Sequence, residues 1–385
     1  MKIVYIYTAL VTVGGADRVI TQKANYLADV MGHEVYILTD TQMGRPPVFP
    51  LSPRVTMVNL DIDFAQEYGH SFPVRAWMYL KLMRRYEREA IRAIDRIAPD
   101  VVICVLEREM AFVNKLHRPG RVVMGEIHIA KTFMRNFHLL RARGGLFRLL
   151  ADYSVWQQER RVRRLDALVC LTRHDAESWK DVIRARVIPN PYTFYPDTLP
   201  AGKDGHTIIS VGRLDSQKGY DLLVEAWPAV KARHPDWQVH VYGQGEDREK
   251  LERRARELGV DDVVLFCAPV ANIAEEYLKS EFYVMSSRFE GLPMALLEAM
   301  ACGLPCVSFD CPHGPADVIA HGEDGLLVEN GNTERLAQAV NDLIENPQRR
   351  RQMGQKAREN IRRYSPESIM RQWENLFAEL LRAKS

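Results

Sequence analysis

Short apolar runs alternate with helical stretches along the whole chain, and no other feature constrains the fold as much. Ile3–Tyr7, Glu34–Leu38, Val101–Val105, Arg121–Gly125 and Ala167–Leu171 read as strands, with helical patterns between them, clearest over Ala76–Ile97. Parallel strands need long crossovers, which helices supply, so the alternation predicts βαβ units and parallel sheets. A stretch rich in Pro, Gly and Asp, residues 188–206, interrupts the pattern. It restarts with TIISVG, WQVHVYG, VVLFC, FYVMSS, PCVSF and GLLVE. The expected fold is α/β, with two tandem Rossmann-like, doubly wound domains over residues 1–192 and 206–365 and a linker over 193–205. Residues 366–385 form an amphipathic helix, capped by Ser365 with Pro366 in its first turn, expected to pack back on the first domain. Open sheets of this kind bind ligands beyond the carboxyl ends of their strands, and two facing each other define one cleft.

The totals narrow the classes. A chain of 385 residues is comfortable for two domains, and 46% hydrophobic with 26% charged residues is an ordinary globular balance. Apolar runs fall short of the roughly 20 residues a bilayer crossing needs. The start, MKIVYIYTALVTVGGADRVI, lacks a small-residue cleavage site and reads as a first strand rather than a signal peptide. Cys104, Cys170, Cys267, Cys302, Cys306 and Cys311 sit mostly in apolar runs without paired zinc spacing, which fits packing in a reducing compartment.

Charge is uneven: residues 1–200 carry 29 Lys+Arg against 21 Asp+Glu, and the remainder 23 against 29. The excess concentrates over Arg118–Arg164, interleaved with Phe133, Phe137, Leu139, Leu140, Leu146, Phe147 and Trp156. Such composition suits an anionic membrane surface or a phosphorylated acceptor; a solvated helix face is the equal alternative. Nucleic acid is not expected, because no binding motif accompanies the charge.

Chemistry concentrates in SSRFEGLPMALLEAMACGLPCV, where Glu298 is the one charge between Gly291 and Val307. A helix apolar all round is buried, and a carboxylate inside it needs hydrogen-bond donors. Gly291 and Leu292 form a turn, Pro293 suits the first helical position, and the amides of Met294 and Ala295 would make an anion site at the helix end. Glu298 lies about 7.5 Å further along, within reach of a diol attached to a phosphate held there. Glu290 precedes the turn. In SVGRLDSQKGYDLLVEAW, Arg213 offers a planar fork and Lys218 a point charge for phosphate oxygens. Gly14 and Gly15 open a helix after the first strand, and Glu126 and His128 follow another strand of the same domain. Asp61 and Asp63 have the spacing of a metal pair without supporting residues, and Gly243 with Gly245 fits a tight turn beside a nucleotide.

Taken together, Gly14–Arg18, GHEVYILT, EIH, VGRLDSQKGYDLLVEA, VYGQGED and SRFEGLPMALLEAMACGLPCV resemble the family 4 retaining glycosyltransferases of the GT-B fold over nearly the whole chain. The resemblance implies that Arg213 and Lys218 bind the diphosphate of a UDP-sugar and that Glu298 takes the ribose hydroxyls. Glu290 and the Gly291–Met294 turn, through the amides of Gly291, Leu292 and Met294 on either side of Pro293, would hold the sugar, with Gly243 beside the nucleotide. His128 would act near the sugar and acceptor, Glu126 beside it would orient the imidazole or contact the acceptor, and the Gly14–Gly15 loop would close over the phosphates. Catalytic roles thus fall to His128, Arg213, Lys218 and Glu290. Asp17 stands where many relatives have Glu. SFDCPHGPADVI and GEDGLLVE resemble the surface-polysaccharide branches. The implied activity moves a hexose or N-acetylhexosamine, with retention and no metal or other cofactor, onto a saccharide or lipid-linked acceptor. The implied location is the cytoplasm, at the inner face of the cell membrane. The alternatives are a UDP-sugar epimerase of the same fold and a non-catalytic sugar-nucleotide binder.

Overall fold

The computed structural model describes residues 1–12, 14–67, 69–128, 131, 144–200 and 205–384. The chain divides into two compact units, Met1–Pro189 with Pro366–Ser385, and Asn190–Ser365.

In the first unit a seven-stranded parallel sheet runs in the order β3-β2-β1-β4-β5-β6-β7. Its strands are β1 (Lys2–Tyr7), β2 (Glu34–Thr39), β3 (Val55–Asn59), β4 (Val101–Cys104), β5 (Val122–Glu126), β6 (Ala167–Cys170) and β7 (Arg186–Val187). The crossovers include α1 (Gly15–Asp29), α2 (Phe72–Ile97), α3 (Gly145–Val162) and α4 (Arg173–Ser178). Strand alternation sorts the core into two layers. Ile3 and Tyr5 pack with Ile20, Ala24 and Leu27 of α1 and with Ile369, Trp373 and Phe377 of the C-terminal helix, Pro366–Lys384. Val4 and Ile6 face the opposite layer, with Tyr86, Ala90 and Ile94 of α2.

Two edge strands were not anticipated. β3 is half exposed and β7 has two exposed residues, so neither carries an apolar run. Helix α2 begins at Phe72 rather than Ala76, because Pro73 is tolerated in a first turn whose amides have no helical partners.

The second unit holds a six-stranded parallel sheet, order β10-β9-β8-β11-β12-β13. Its strands are β8 (Thr207–Val211), β9 (Gln238–Tyr242), β10 (Val264–Cys267), β11 (Phe282–Met285), β12 (Cys306–Asp310) and β13 (Gly325–Glu329). Helices α5 (Tyr220–Lys231), α6 (Arg248–Glu257), α7 (Ile273–Lys279), α8 (Met294–Ala301), α9 (Pro315–Val318), α10 (Thr333–Glu345) and α11 (Pro347–Asn360) cover it. Leu223, Val224, Trp227, Leu336 and Val340 build its main core against Val239, Val284 and Val307.

The stretch expected as a linker is no loose tether where it is described. The Tyr192 amide donates to the Tyr364 carbonyl at 3.0 Å, and the Arg358 guanidinium stacks 4.0 Å over the Tyr195 ring. Tyr192, Phe194 and Tyr195 supply apolar surface that a solvated tether would lack. Residues 201–204 lie outside the described residues, as do Phe133, Phe137, Leu139 and Leu140 of the basic segment and the side chains of Leu146 and Phe147.

Trp373→Ala would open a cavity where the C-terminal helix meets the first sheet. Unit 1 is expected to lose about 3–5 kcal/mol, read from its urea midpoint; an unmoved midpoint would contradict this packing.

Candidate active site

Loops leave the carboxyl ends of β9, β8, β11 and β12, which are neighbours in the sheet, and they meet backbone to backbone. A β-carbon on Gly243 would stand 1.9 Å from the Gly212 carbonyl oxygen, and one on Gly245 2.2 Å from that of Leu214. Across the β8 loop, Gly219 has φ +63° and would put a β-carbon 2.1 Å from the Ser286 carbonyl oxygen. Glycine is required by the close approaches at all three positions and, at Gly219, by the left-handed backbone as well. Hydrogen bonds complete the stack: Gly212 donates to Tyr242, Leu214 to Gln244, and Arg288 to Gln217 through backbone groups.

On this frame the Lys218 ammonium donates to Glu290 Oε1 at 2.7 Å, and the Ser287 hydroxyl donates to the same oxygen at 2.6 Å. Glu290 is buried and Lys218 partly open, so the pair has one wet face. Arg288 grips both oxygens of Asp221 and the Ser216 carbonyl, locking the β8 loop to the β11 loop. Arg213 is exposed, resting on Asp215 at 3.1 Å and Gln217 at 3.2 Å. Solvated partners of this kind are weak and exchange readily.

Helix α8 starts at Met294, with Pro293 as the extended residue before it rather than the first helical one. Pro293 offers its carbonyl to the amides of Leu296 and Leu297, so the amides of Met294 and Ala295 precede the helical ladder. Gly314 seats this turn: a β-carbon there would stand 2.6 Å from Pro293 Cδ and 2.9 Å from the Gly291 carbonyl. Beneath it, Lys218, Tyr220, Tyr283, Ser286 and Pro293 line a small pocket. Leu292 is buried. Further along the helix, Glu298 is buried and its Oε1 accepts from the Thr193 hydroxyl at 2.6 Å.

In the first unit Gly14 precedes α1 with extended backbone and gives its carbonyl to the Arg18 amide, while Gly15 is the first helical residue. Asp17 is turned inward, accepting from the Tyr7 hydroxyl and the Thr12 amide. At the end of β5, Glu126, expected beside the acceptor, has no exposed surface; its Oε1 lies 2.5 Å from Lys23 Nζ and 3.3 Å from His128 Nε2. Burial holds the His128 imidazole below its ordinary pKa, with Glu126 opposing and Lys23 adding to that fall.

Two family models divide the chain between them: Glycosyltransferase Family 4 over residues 13–193, and Glycosyl transferases group 1 over residues 193–360. The chain belongs to the family 4 glycosyltransferases. An uncharacterized glycosyltransferase of Haemophilus influenzae is 28% identical over 378 residues, covering 97% of this chain and 99% of its own. The lipopolysaccharide 1,6-galactosyltransferase of Escherichia coli is 25% identical over 354 residues, 89% of each chain. The solved structure of Anabaena HepE in complex with UDP matches with a TM-score of 0.72 at 15% identity, covering 98% of this chain and 100% of that one. These likenesses agree with the GT-B fold expected of the sequence.

The two aspartates with the spacing of a metal pair are used locally: Asp61 accepts from the Met43 amide and Asp63 from the Ala65 amide. Among the described residues no group of three or more His, Cys, Asp or Glu gathers to hold a metal ion. Sequence reading missed Thr193, Ser287, Arg288 and Lys23. Thr193 and Ser287 carry no local signal, whereas Lys23 interrupts the apolar stripe of Val19, Ile20, Ala24 and Leu27, which marks it as a buried cation. Gly243→Ala is expected to destabilise unit 2 of the transferase by about 2–3 kcal/mol in urea unfolding, because its neighbour is backbone that cannot move aside; a neutral substitution would contradict the loop contacts.

Proposed function

We propose that this glycosyltransferase moves a hexose or N-acetylhexosamine from a UDP-sugar to a saccharide or lipid-linked acceptor in surface polysaccharide or lipopolysaccharide synthesis. The anomeric configuration is retained and no metal is needed. The observation that carries the reading is a buried carboxylate, Glu298, set inside a helix whose open amino end adjoins the Lys218–Glu290 pair. A carboxylate has about four acceptor positions, so a ribose diol can donate alongside Thr193. The amides of Met294 and Ala295 and the helix dipole take the diphosphate, and Lys218 and Arg213 neutralise the charge that grows as it departs. Glu290 and the Gly291–Met294 turn then hold the sugar hydroxyls, and Gly243 keeps the nucleotide side of the loops narrow.

The chemistry asks little proton transfer of the protein. In a same-face displacement the leaving phosphate accepts the acceptor's proton, and the site contributes positioning and charge stabilisation. His128, whose burial disfavours the imidazolium, can hydrogen-bond the sugar or acceptor through one ring nitrogen. The Gly14–Gly15 loop at the start of α1 is assigned to phosphate contact. UDP in the HepE complex and the galactosyltransferase likeness support the donor class.

The first unit is also proposed to meet an anionic membrane. Helix α3 exposes Leu149, Leu150, Tyr153 and Trp156 beside Arg148 and Arg160, and α2 exposes Trp77 and Leu80 beside Arg75 and Lys81. Aromatic and aliphatic side chains with basic neighbours are the composition that binds acidic headgroups. No helix of the described residues is long and apolar enough to cross a bilayer.

Glu298→Ala is expected to weaken UDP binding by about 1–3 kcal/mol in calorimetry, and unchanged affinity would remove the ribose from Glu298. Turnover should survive EDTA; its abolition would overturn metal independence.

A further inference from the structure

Lys23 has no task in the chemistry above, yet its side chain is 1% exposed. Burying a cation costs several kcal/mol before its partner returns any of it, and an apolar residue of similar volume is often the more stable choice. The ammonium sits 2.5 Å from Glu126 Oε1, 3.8 Å over the Trp373 ring of the C-terminal helix and 5.8 Å from the Tyr5 ring of β1. Glu126 is itself fully buried, and the oxygen that meets Lys23 is the one 3.3 Å from His128 Nε2. A pair kept only for stability would have its polar atoms satisfied. Here Glu126 Oε2 has no hydrogen-bond partner among the described residues, and His128 Nε2 approaches Glu126 Oε1 at 3.3 Å without completing a hydrogen bond to it. They lie at the carboxyl end of β5, the edge where such sheets take ligands.

We propose that Lys23 is a positioning residue for His128: by anchoring Glu126 against Trp373, it fixes the carboxylate that faces the imidazole and so sets the ring for the sugar or acceptor. This rests on the reading that His128 works in transfer. The titratable and charged groups facing the pair from the described elements are Tyr5 of β1, Lys23 of α1 and, at the end of β5, Glu126 and His128. Their signs are separable. Burial disfavours the imidazolium, Glu126 favours it, and the Lys23 ammonium disfavours it. Burial also lowers the pKa of Lys23, while Glu126 opposes that fall. Removing Lys23 alone leaves a carboxylate without its counter-ion beside the ring. Removing Lys23 and Glu126 together leaves burial alone.

The test is the His128 titration followed by NMR of its ring protons, assigned with His128→Gln, together with kcat and donor KM. Lys23→Met is expected to raise the His128 titration by about one pH unit or more. It is expected to lower kcat roughly ten- to hundredfold while donor KM stays within about twofold. Lys23→Met/Glu126→Gln is expected to titrate below the parent and to remain slow. Opposite shifts in the two variants are what mere loss of packing would not produce. If Lys23→Met does not fold, the neutral double variant decides: a parental His128 titration or parental kcat overturns the proposal. A folded Lys23→Met with the parental titration also overturns it. Full turnover by His128→Ala would instead overturn the functional reading, and the NMR shifts would still report the coupling.

Discussion

Backbone contact among loops at the carboxyl edge of the second sheet is the constraint on which the rest depends. Because β9, β8, β11 and β12 are neighbours, their loops stand side by side. Gly243 against Gly212, and Gly219 against Ser286, let carbonyls approach where any β-carbon would collide. The loops thereby become one rigid shelf, and the charged groups on it need little reorganisation. Preorganised charge is worth more to a transition state than charge that must first be arranged.

That shelf explains how two buried glutamates are tolerated. Glu290 is held between Lys218 and Ser287, and Glu298 is met by Thr193 from the stretch that enters the unit. A buried ion pair is weak evidence for stability, since desolvation offsets most of the attraction. The Lys218–Glu290 pair, open on its Lys218 side beside a helix end, is the arrangement that the proposed diphosphate site requires. Lys218 keeps an open face while Glu290 does not, so the cation is the member of the pair that solvent reaches.

Much of the fold was legible because parallel, doubly covered strands carry continuous apolar runs. Val101–Cys104 and Phe282–Met285 are buried at every position, and both stand out in the sequence. The edge strands β3 and β7 bury too little to leave such a trace. Glu298 and Glu290 were legible as charges next to an apolar helix, and Lys218 by its distance from a strand end. Thr193 was not, because its partner lies 105 residues away and nothing local demands a hydroxyl there. The partner of Glu126 was hidden for a similar reason: Lys23, which donates to it, sits 103 positions earlier. The intended linker misled because its Pro and Gly content masked three aromatic anchors.

The central claim is that the second unit grips a nucleoside diphosphate by a helix end and a buried acid. A crystal structure of the chain with UDP tests it most directly. The account predicts the ribose hydroxyls on the Glu298 carboxylate and the diphosphate at the Met294 and Ala295 amides, with Lys218 within hydrogen-bond reach. A nucleotide bound elsewhere, or a Glu298 whose oxygens stay occupied by protein groups alone, would contradict it.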